Sequence, residues 1–567
     1  MVRLALIPLA LLALLAGAVV WSNKDQGARA DFTFVNRGEN KTLDLGVMSW
    51  MQDIRIAYAL YEGLYTPDPV TLRPILGCAD QITANEAKTA YTFHIRSDAK
   101  WSNGDDLAAG DFVFAWRRLI EQPAEYSYLF DYIKGARAYS EAFSQWKQAV
   151  DQWGKSQEKA GRPPAPPFDV GVEAVNAKTL KVTLEHPLAI LPELCAFPSF
   201  FAQHERCMRR FRQMDTTGTY VVSYDQAFTR PPNLVTNGPY MLEEWSFKRR
   251  VRLVASDHYW DRKHVRSRII DQLYADDPLA QYRMYEAGNV DWLADVDGDM
   301  AADLLAQGRS DVKLIPAFGT YFYDFNCDPN FKDGSRNPLS DRRVRRAFTM
   351  ALDKTPIVQN VTRTGEPIAT TYIPRSVFPD YKSPPGLPYD VVAARRLLAE
   401  AGYPGGAGFP HLTILFNNDF PQHGDIAQIV RRQWQVNLGV EVSLEGEELK
   451  VYADRLTRHE FAVARGSWYG DYDDPSTFTD VYKASSQNNN PDWKNPRYDS
   501  LLKKAEYEKD SKTRFDILSR AENILLEDAP IMPMFQYVGR YLIHDNVHGI
   551  PLDPRQMVMM HAVEVAR

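Results

Sequence analysis

Two periodicities in the hydrophobic pattern divide much of the chain into strands and helices. Apolar and polar residues alternate within residues 31–38, 179–188 and 238–256, and we predict strands there, the last stretch forming a pair. After the Asn103–Gly104 turn, apolar residues recur at intervals of three and four, which predicts a helix. The buried face of this helix should contain Phe112, Ala115, Trp116 and Leu119.

Residues 340–362 carry the most strongly helical pattern. Ser340 can cap this helix at its N-terminus. A stripe of apolar residues lies opposite four arginines, Arg342, Arg343, Arg345 and Arg346. We expect the arginines to form a solvated helix face and not a nucleic-acid patch.

The segment that follows alternates helices with strands. We predict helices over residues 391–401 and 425–438, and strands over residues 412–416 and 440–444. The resulting β-α-β order predicts mixed sheets with right-handed crossovers, and so an α/β fold.

The N-terminus resembles an export segment. Arg3 precedes an apolar run from Leu4 to Val20, and polar residues follow. Small residues at Ala16–Ala18 and Ala28–Ala30 offer two cleavage sites, but the run is also nearly long enough to stay in the membrane. We expect an exported chain in which residues 1–30 are either a signal peptide or an N-terminal anchor.

Length, charge and cysteine usage narrow the class of protein. The chain has 567 residues and a mass of 64.6 kDa, too long for one ordinary core, which predicts two or three lobes. The net charge of −7 lacks the basic surplus of nucleic-acid-binding proteins, so no nucleic-acid partner is expected. The four cysteines lack metal-ligand spacing. Cys195 and Cys207 could close a short loop in an exported protein, or all four could be thiols.

Signatures of catalysis are incomplete. His204 and His459 each precede a glutamate, but neither has the second histidine of a zinc-protease motif. Ser467 has Arg465 and Tyr469 where the nucleophile elbow requires glycines. We therefore predict a binding protein and not an enzyme, with no catalytic residues, no metal site and no cofactor.

Four long segments follow one another along the chain: YTFHIRSDAKWSNGDDLAAGDFVFAWRR from Tyr91, TNGPYMLEEW from Thr236, YFYDFNCD from Tyr321 and ARGSWYGDYDDP from Ala464. In this order they resemble the family 5 extracytoplasmic solute-binding proteins of oligopeptide and dipeptide ABC importers. The resemblance runs from about Asp31 to the C-terminus. It implies an α/β, periplasmic-binding-protein-like two-way clamp with mixed sheets and an extra inserted lobe, three lobes in all.

The resemblance also implies where the lobes begin and end. Lobe I should take up both ends and a middle segment of the chain, and lobe II should be inserted early. The expected boundaries are 1–30 for the export segment or anchor, 31–61, 222–318 and 539–567 for lobe I, 62–221 for lobe II and 319–538 for lobe III.

Ligand-binding roles follow from the resemblance, residue by residue. Asp471, three residues after Trp468, matches an aspartate that pairs with a ligand's α-ammonium. Arg465 matches an arginine that meets the ligand carboxylate. His423 and Arg458 match further basic residues near that end, although Arg458 is also typical of a surface charge. The other ligand-binding candidates are Gly466, Ser467, Trp468, Tyr469, Tyr126, Asp324 and the extended segment Ser49, Trp50 and Met51.

Structural roles remain open for several of these residues. Asp471 could be a turn residue, and Arg465 could brace a neighbouring carboxylate such as Asp473. His423 stands just before a predicted helix, where an exposed histidine is ordinary. Asp473 and Asp474 precede a proline, and we expect them to be turn residues.

The sequence departs from the family pattern at three places. Some members have a disulfide where this chain has Tyr469 and Gly319, so the loop must be stiffened otherwise. Leu449 replaces a groove tryptophan, and Asp324 replaces a longer glutamate. These changes affect which peptide lengths and sequences we expect the chain to prefer.

Peptide uptake is the predicted function. Pairing of a ligand backbone with residues 466–469 and 49–51 would hold what all peptides share. We expect a monomer that binds peptides in the periplasm or at the outer face of the cytoplasmic membrane. Lobe closure would then deliver the peptide to ABC permease subunits in the inner membrane. The alternatives are a non-peptide solute or a cell-wall peptide in the same fold, or a periplasmic chaperone.

Overall fold

A computed structural model describes residues 28–36, 38–156, 161–375, 377–378 and 380–567. Most of the predicted export segment, residues 1–27, lies outside these ranges. Within them, no helix combines the length and apolar character needed to cross a membrane.

The described residues form twenty strands, most of them short. In chain order they are β1 (Phe32–Val35), β2 (Tyr65–Pro67), β3 (Pro74–Leu76), β4 (Ala79–Ala84), β5 (Ala90–Ile95), β6 (Val172–Asn176), β7 (Thr179–Thr183), β8 (Arg212–Met214), β9 (Val221–Tyr224), β10 (Tyr240–Ser246), β11 (Arg250–Ala255), β12 (Ile269–Leu273), β13 (Trp292–Leu293), β14 (Val312–Phe325), β15 (Leu412–Asn417), β16 (Val442–Glu447), β17 (Val463–Tyr469), β18 (Ile531–Ile543), β19 (Val547–His548) and β20 (Glu564–Val565). The longest, β14 and β18, have 14 and 13 residues.

The same residues form fifteen α-helical segments. They are α1 (Met51–Leu60), α2 (Ala109–Glu121), α3 (Ala136–Ser156), α4 (Leu191–Cys195), α5 (Glu205–Met208), α6 (Pro278–Glu286), α7 (Gly298–Ala306), α8 (Arg342–Met350), α9 (Thr355–Ile357), α10 (Val391–Glu400), α11 (Pro421–Leu438), α12 (Leu449–Thr457), α13 (Ser476–Thr479), α14 (Pro496–Tyr507) and α15 (Ser511–Asp528). A π-helical turn over Val358–Thr362 continues α9.

One large mixed sheet contains ten of these strands. Their order is β10–β11–β12–β1–β13–β18–β14–β17–β15–β16. β1 runs parallel to β12 and β13, and β15 runs parallel to β16 and β17, whereas β14 and β18 pair antiparallel. The predicted β-α-β unit, here β15–α11–β16, and the predicted mixed α/β architecture are confirmed.

β14 and β18 join the two halves of this sheet. Their pairing register breaks between Pro316 and Thr320. β13 pairs with the C-terminal end of β18, and β17 pairs with β14 only from Gly319 onward. The expected lobe boundaries at residues 318 and 538 fall within these two strands, and the division into lobes stays a prediction.

A separate four-stranded sheet, β4–β5–β7–β6, lies early in the chain beside α2. The predicted apolar face of α2 is confirmed, since its four residues are all buried. Trp116 donates its indole N–H to the Phe200 carbonyl at 2.9 Å, and Phe130 stacks on Phe200 with ring centroids 4.3 Å apart.

A buried ion pair fastens α2 to the segment before α1. Arg118 donates to both carboxylate oxygens of Asp44, at 2.6 and 2.7 Å, and to Gln203 at 2.8 Å. Burial alone would raise the pKa of Asp44, but Arg118 and further hydrogen bonds lower it below its ordinary value.

The helix predicted over residues 340–362 is shorter and is capped differently. Asp341, not Ser340, caps α8 by accepting the N–H of Arg343 at 2.8 Å, and the helix ends at Met350. The expectation that all four arginines are solvated is wrong for Arg345. Its buried guanidinium donates to main-chain carbonyls, which satisfy it without a counter-ion: Leu339, Ser340, Asp528 and Ala529.

The four cysteines are free thiols. The disulfide considered between Cys195 and Cys207 is therefore absent. Cys195 is fully buried in the core that packs around α4, and burial raises its pKa, which keeps it a neutral apolar side chain.

Candidate functional site

A cavity of about 240 Å³ lies where segments distant in sequence meet. It is formed by residues 49–58, the β2–β3 hairpin, α4 with residues 196 and 197, the loop after β17, and residues 554–557. Aromatic and aliphatic side chains make up most of the lining. The charged side chains in the lining are Glu193, Asp471, Asp473 and Arg555.

The cavity brings together six of the predicted site residues: Ser49, Trp50, Met51, Tyr126, Tyr469 and Asp471. The extended backbone predicted for Ser49–Met51 reaches only to Trp50, because Met51 is the first residue of α1. The Trp50 carbonyl closes the first helical turn, accepting the N–H groups of Asp53 and Ile54 at 2.9 and 3.0 Å.

Asp471 presents a carboxylate to the cavity. Tyr128 Oη donates to its Oδ2 at 2.8 Å, and the Asp471 N–H donates to Thr477 Oγ1 at 2.8 Å. Burial raises the pKa of this carboxyl to about 7; the Tyr128 hydrogen bond acts in the opposite direction, and Glu125 raises it further. No cation of the described residues forms an ion pair with Asp471.

The two carboxylates that follow are held by arginines. Asp473 accepts from Arg555 at 3.0 Å, and Asp474 forms a buried ion pair with Arg514. Asp474 also accepts the Ser476 N–H at 2.8 Å, the turn contact that was expected of it. Asp473 has no such turn bond among the described residues; its pairing with Arg555 is its main contact, which the turn prediction missed.

The strand β17 leaves one backbone edge open. It pairs with β15 only at Val463 and Ala464, and the next residues have no strand on that side within the described chain. The Gly470 N–H donates to the Phe318 carbonyl at 2.8 Å. Since hydrogen-bonding alternates along an antiparallel pair, the N–H and C=O of Ser467 point away from β14, toward the open edge.

Two further residues of β17, Gly466 and Trp468, contact β14 and the chain that follows β17. Gly466 lies under the ring of Phe322, where a side chain would clash. Trp468 donates its indole N–H to the Thr477 carbonyl at 2.9 Å. The contacts of Gly466 with Phe322 and of Trp468 with Thr477 therefore hold β17 in place.

Arg465 and His423 form a cluster with Tyr321 and Tyr537, outside the lining of the cavity and on the face of β17 that carries Tyr469. Arg465 donates to Tyr537 Oη at 2.9 Å and lies 4.9 Å from the centroid of the Tyr321 ring. It does not brace Asp473, and no carboxylate of the described residues lies within ion-pair distance. His423 is buried within the first turn of α11, not exposed before it, and its Nδ1 lies 3.4 Å from Tyr321 Oη. Burial and Arg465 together lower the pKa of His423 to about 3, so it is neutral.

Arg458 and Asp324 lie away from the cavity. Arg458 is exposed and pairs with Glu460 at 3.1 Å, the surface-charge role considered above. Asp324 is only 1% exposed and accepts from Tyr482 at 3.2 Å. Because β14 turns its side chain into the core, Asp324 is not a groove residue in this structure, and burial raises its pKa to about 7.

Tyr469 and Gly319, at the positions of the absent family disulfide, face each other across β17 and β14. The Tyr469 ring occupies the space beside Gly319, within 3.0 Å of where a Cβ would lie. It also stacks on Tyr537 with ring centroids 4.9 Å apart. An aromatic stack thus packs at the point where a covalent link is missing.

Sequence reasoning missed several residues that line the cavity or contact its lining. Tyr128 was overlooked beside Tyr126, although the pair occupies one short aromatic segment. Glu193, Phe197 and Arg555 carry no recognisable motif, and their role arises only from tertiary contact. No group of three or more potential metal ligands was found within the described residues.

Comparisons with known proteins agree with this architecture. Residues 73–490 match the family model described as bacterial extracellular solute-binding proteins, family 5 Middle. The chain is 30% identical to the oligopeptide-binding protein OppA of Bacillus subtilis (strain 168) over 488 residues, covering 84% of this chain and 82% of that protein.

Two solved structures extend the comparison. The Escherichia coli murein tripeptide binding protein MppA matches with a TM-score of 0.75 at 29% identity, covering 95% of this chain and 99% of that one. Haemophilus influenzae OppA in complex with RPPGFSPFR matches with a TM-score of 0.73 at 26% identity, covering 96% and 100%. The chain shares the fold of these binding proteins, as the resemblance implied.

Proposed function

Because the chain belongs to the family 5 bacterial extracellular solute-binding proteins, we propose that it binds peptides outside the cytoplasm and delivers them to an ABC import permease. The observation that carries the proposal is a cavity in which Asp471, a carboxylate without an ion pair among the described residues, adjoins a strand with an open backbone edge. An extended peptide supplies both missing partners, an α-ammonium and a row of amides.

Asp471 is the proposed acceptor of the peptide ammonium. Tyr128 occupies one of its oxygens, which leaves acceptor capacity for a second donor. An ammonium hydrogen-bonded to a carboxylate away from water gives a charge-assisted bond worth about 1.5–3 kcal/mol. The neighbouring Trp50, Tyr126 and Tyr469 would exclude water around it.

The open edge of β17 would hold the peptide backbone. Ser467 offers one N–H and one C=O on that edge, the pattern by which a sheet accepts an added strand. Arg465, on the same strand, is a buried guanidinium without a carboxylate partner in the described chain, which supports a role for it at the peptide carboxylate. His423, beside it, would line that end as a neutral group.

Closure of the proposed lobes would couple binding to transport. The Tyr128–Asp471 hydrogen bond and the His186–Glu506 pair, at 3.1 Å, each join the expected lobe II to the expected lobe III. A ligand that contacts both lobes favours the closed form, and that population shift is what a permease could recognise.

The remaining parts of the proposal follow from family membership. The chain would act as a monomer, as a binding protein without catalytic activity, after export to the periplasm or the outer face of the cytoplasmic membrane. The partners would be a peptide and the permease subunits in the inner membrane.

Calorimetry tests the proposal. Purified protein is titrated with a pool of di- to pentapeptides and with the same peptides N-acetylated. We expect binding of the free peptides and a loss of at least about tenfold, or 1.4 kcal/mol, on acetylation. No binding of any peptide would refute the function, and equal binding of acetylated peptides would refute the role of Asp471.

A further inference from the structure

The cavity holds more negative charge than the α-ammonium of a peptide would balance. Glu193, Asp471 and Asp473 all line it, and Arg555 is the one cation among the described lining residues. Arg555 is already shared, since it donates to Asp473 at 3.0 Å and to Asp553 at 2.8 Å. Two carboxylates of the cavity, Asp471 and Glu193, therefore have no ion pair with any residue that the structure describes.

Glu193 is the carboxylate that the proposed function does not use. It lies in α4, and no side-chain hydrogen bond or ion pair within the described chain reaches its carboxylate. Burial raises its pKa to about 7, and nearby Asp473 and Asp474 raise it further, while its own main-chain N–H and Arg555 lower it. A carboxylate kept in this environment without an ion-pair partner gains most from a cation brought by the ligand.

Aromatic side chains link the segment of Glu193 with the segment that contacts Asp471. Phe197, four residues after Glu193, packs edge-to-face on Tyr126 with ring centroids 4.9 Å apart. Tyr128, two residues further, donates to Asp471. Phe197 and Tyr126 thus bring the segment after α4 close to the segment that contacts Asp471. Both carboxylates line one cavity, so a ligand held by its ammonium at Asp471 lies in the same cavity as Glu193.

We propose that Glu193 selects peptides that carry a basic side chain, lysine, ornithine or arginine, at the first or second residue. The inference rests on the proposed function, because Asp471 must hold the α-ammonium. Leu72, Pro74 and Tyr58 give the cavity an apolar surface along which the methylene stem of such a side chain would pack. The cationic head would then pair with Glu193 in a charge-assisted bond.

The test compares peptides that differ only in that charge. Lys-Ala-Ala and Ala-Lys-Ala are titrated against their norleucine counterparts, with Ala-Ala-Ala as the reference, into the wild type and Glu193→Gln. The matched control is Glu141→Gln, which removes the same charge from the exposed face of α3, where Glu141 pairs with Arg137.

In the wild type, one of the two lysine peptides should bind about tenfold or more tightly than its norleucine counterpart. This ratio should fall to about one in Glu193→Gln and should persist in Glu141→Gln. A wild-type ratio near one at both positions, or a ratio that survives Glu193→Gln, overturns the inference. Absence of binding by every peptide, Ala-Ala-Ala included, overturns instead the proposed function.

Discussion

Replacing Asp471 by asparagine removes a charge from the cavity and almost no volume. Tyr128 donates to Oδ2 at 2.8 Å, and an asparagine Oδ1 can still accept that bond. The substitution should therefore leave the cavity lined as before and weaken the contact to a cation. Losing a charge-assisted bond of about 1.5–3 kcal/mol corresponds to about ten- to a hundred-and-fiftyfold weaker peptide binding.

The same substitution should change stability in a pH-dependent way. Burial raises the pKa of Asp471 from 3.8 to about 7. Between these values the folded protein holds a proton that the unfolded chain has lost, so stability falls as the pH rises from about 4 to about 7. At 1.36 kcal/mol for each pH unit, the cost reaches at most about 4 kcal/mol. Asp471→Asn lacks this cost and should gain stability relative to the wild type at pH 8 but not at pH 4.

Two assays check these magnitudes, with Asp425→Asn on the exposed side of α11 as the control. Calorimetry with Ala-Ala-Ala and its N-acetylated form measures the affinity, and thermal unfolding at pH 4 and pH 8 measures the stability. We expect the Asp471→Asn variant to bind both forms of the peptide about equally weakly. Wild-type affinity in Asp471→Asn, or a stability difference that does not vary with pH, would refute the reasoning.

Three shorter predictions test other parts of the structure. Binding of Ala-Ala-Ala by the wild type should release protons near pH 7, because an ammonium favours the ionised form of Asp471, and the affinity should therefore fall from pH 8 to pH 5.5. Calorimetry in buffers of different ionisation enthalpy counts the protons, and a binding reaction that releases none would contradict this prediction. Gly466→Ala should lower the free energy of unfolding in urea by about 1–3 kcal/mol, because the new methyl group meets the Phe322 ring, and an unchanged urea midpoint would contradict that packing. Arg118→Met should lower the free energy of unfolding by about 3–5 kcal/mol at pH 7, and by less at pH 4, where the unpaired Asp44 can take up a proton. A loss of stability that does not depend on pH would show that the broken ion pair is not its cause.

Local periodicity predicted those helices and strands whose buried face is set by the residue pattern within one short segment. The apolar face of α2 and the β15–α11–β16 unit are examples, since each pattern repeats within one short segment. The cap of α8 was missed by one position, because Ser340 and Asp341 are both able to cap and only the backbone path selects between them. Arg345 was missed because its partners are carbonyls brought in by α15, far along the chain.

The cavity was predictable only on its motif-bearing side. Asp471 and Tyr469 occur in a recognisable segment, whereas Glu193 and Arg555 contribute through tertiary approach of segments without a motif. Asp324 shows the converse error: a motif position was matched, but the side chain belongs to the core. A matched position thus indicates where the backbone runs, and the local register decides which way the side chain points.

The alternation along β17 explains why Gly466 in the strand, Gly470 directly after it and the aromatic residues occur together. Gly466 lies opposite Phe322, and Gly470 lies against Phe318, so neither position has room for a side chain. These close contacts fix the strand on β14 from one face, while the Tyr469 ring packs over Gly319 from the other. A backbone held on both faces keeps its open edge in place before a ligand arrives, and preorganisation of this kind lowers the ordering cost of binding. Each of these glycines leaves room for a phenylalanine ring. The two glycines therefore make the strand rigid through close packing and do not make it flexible.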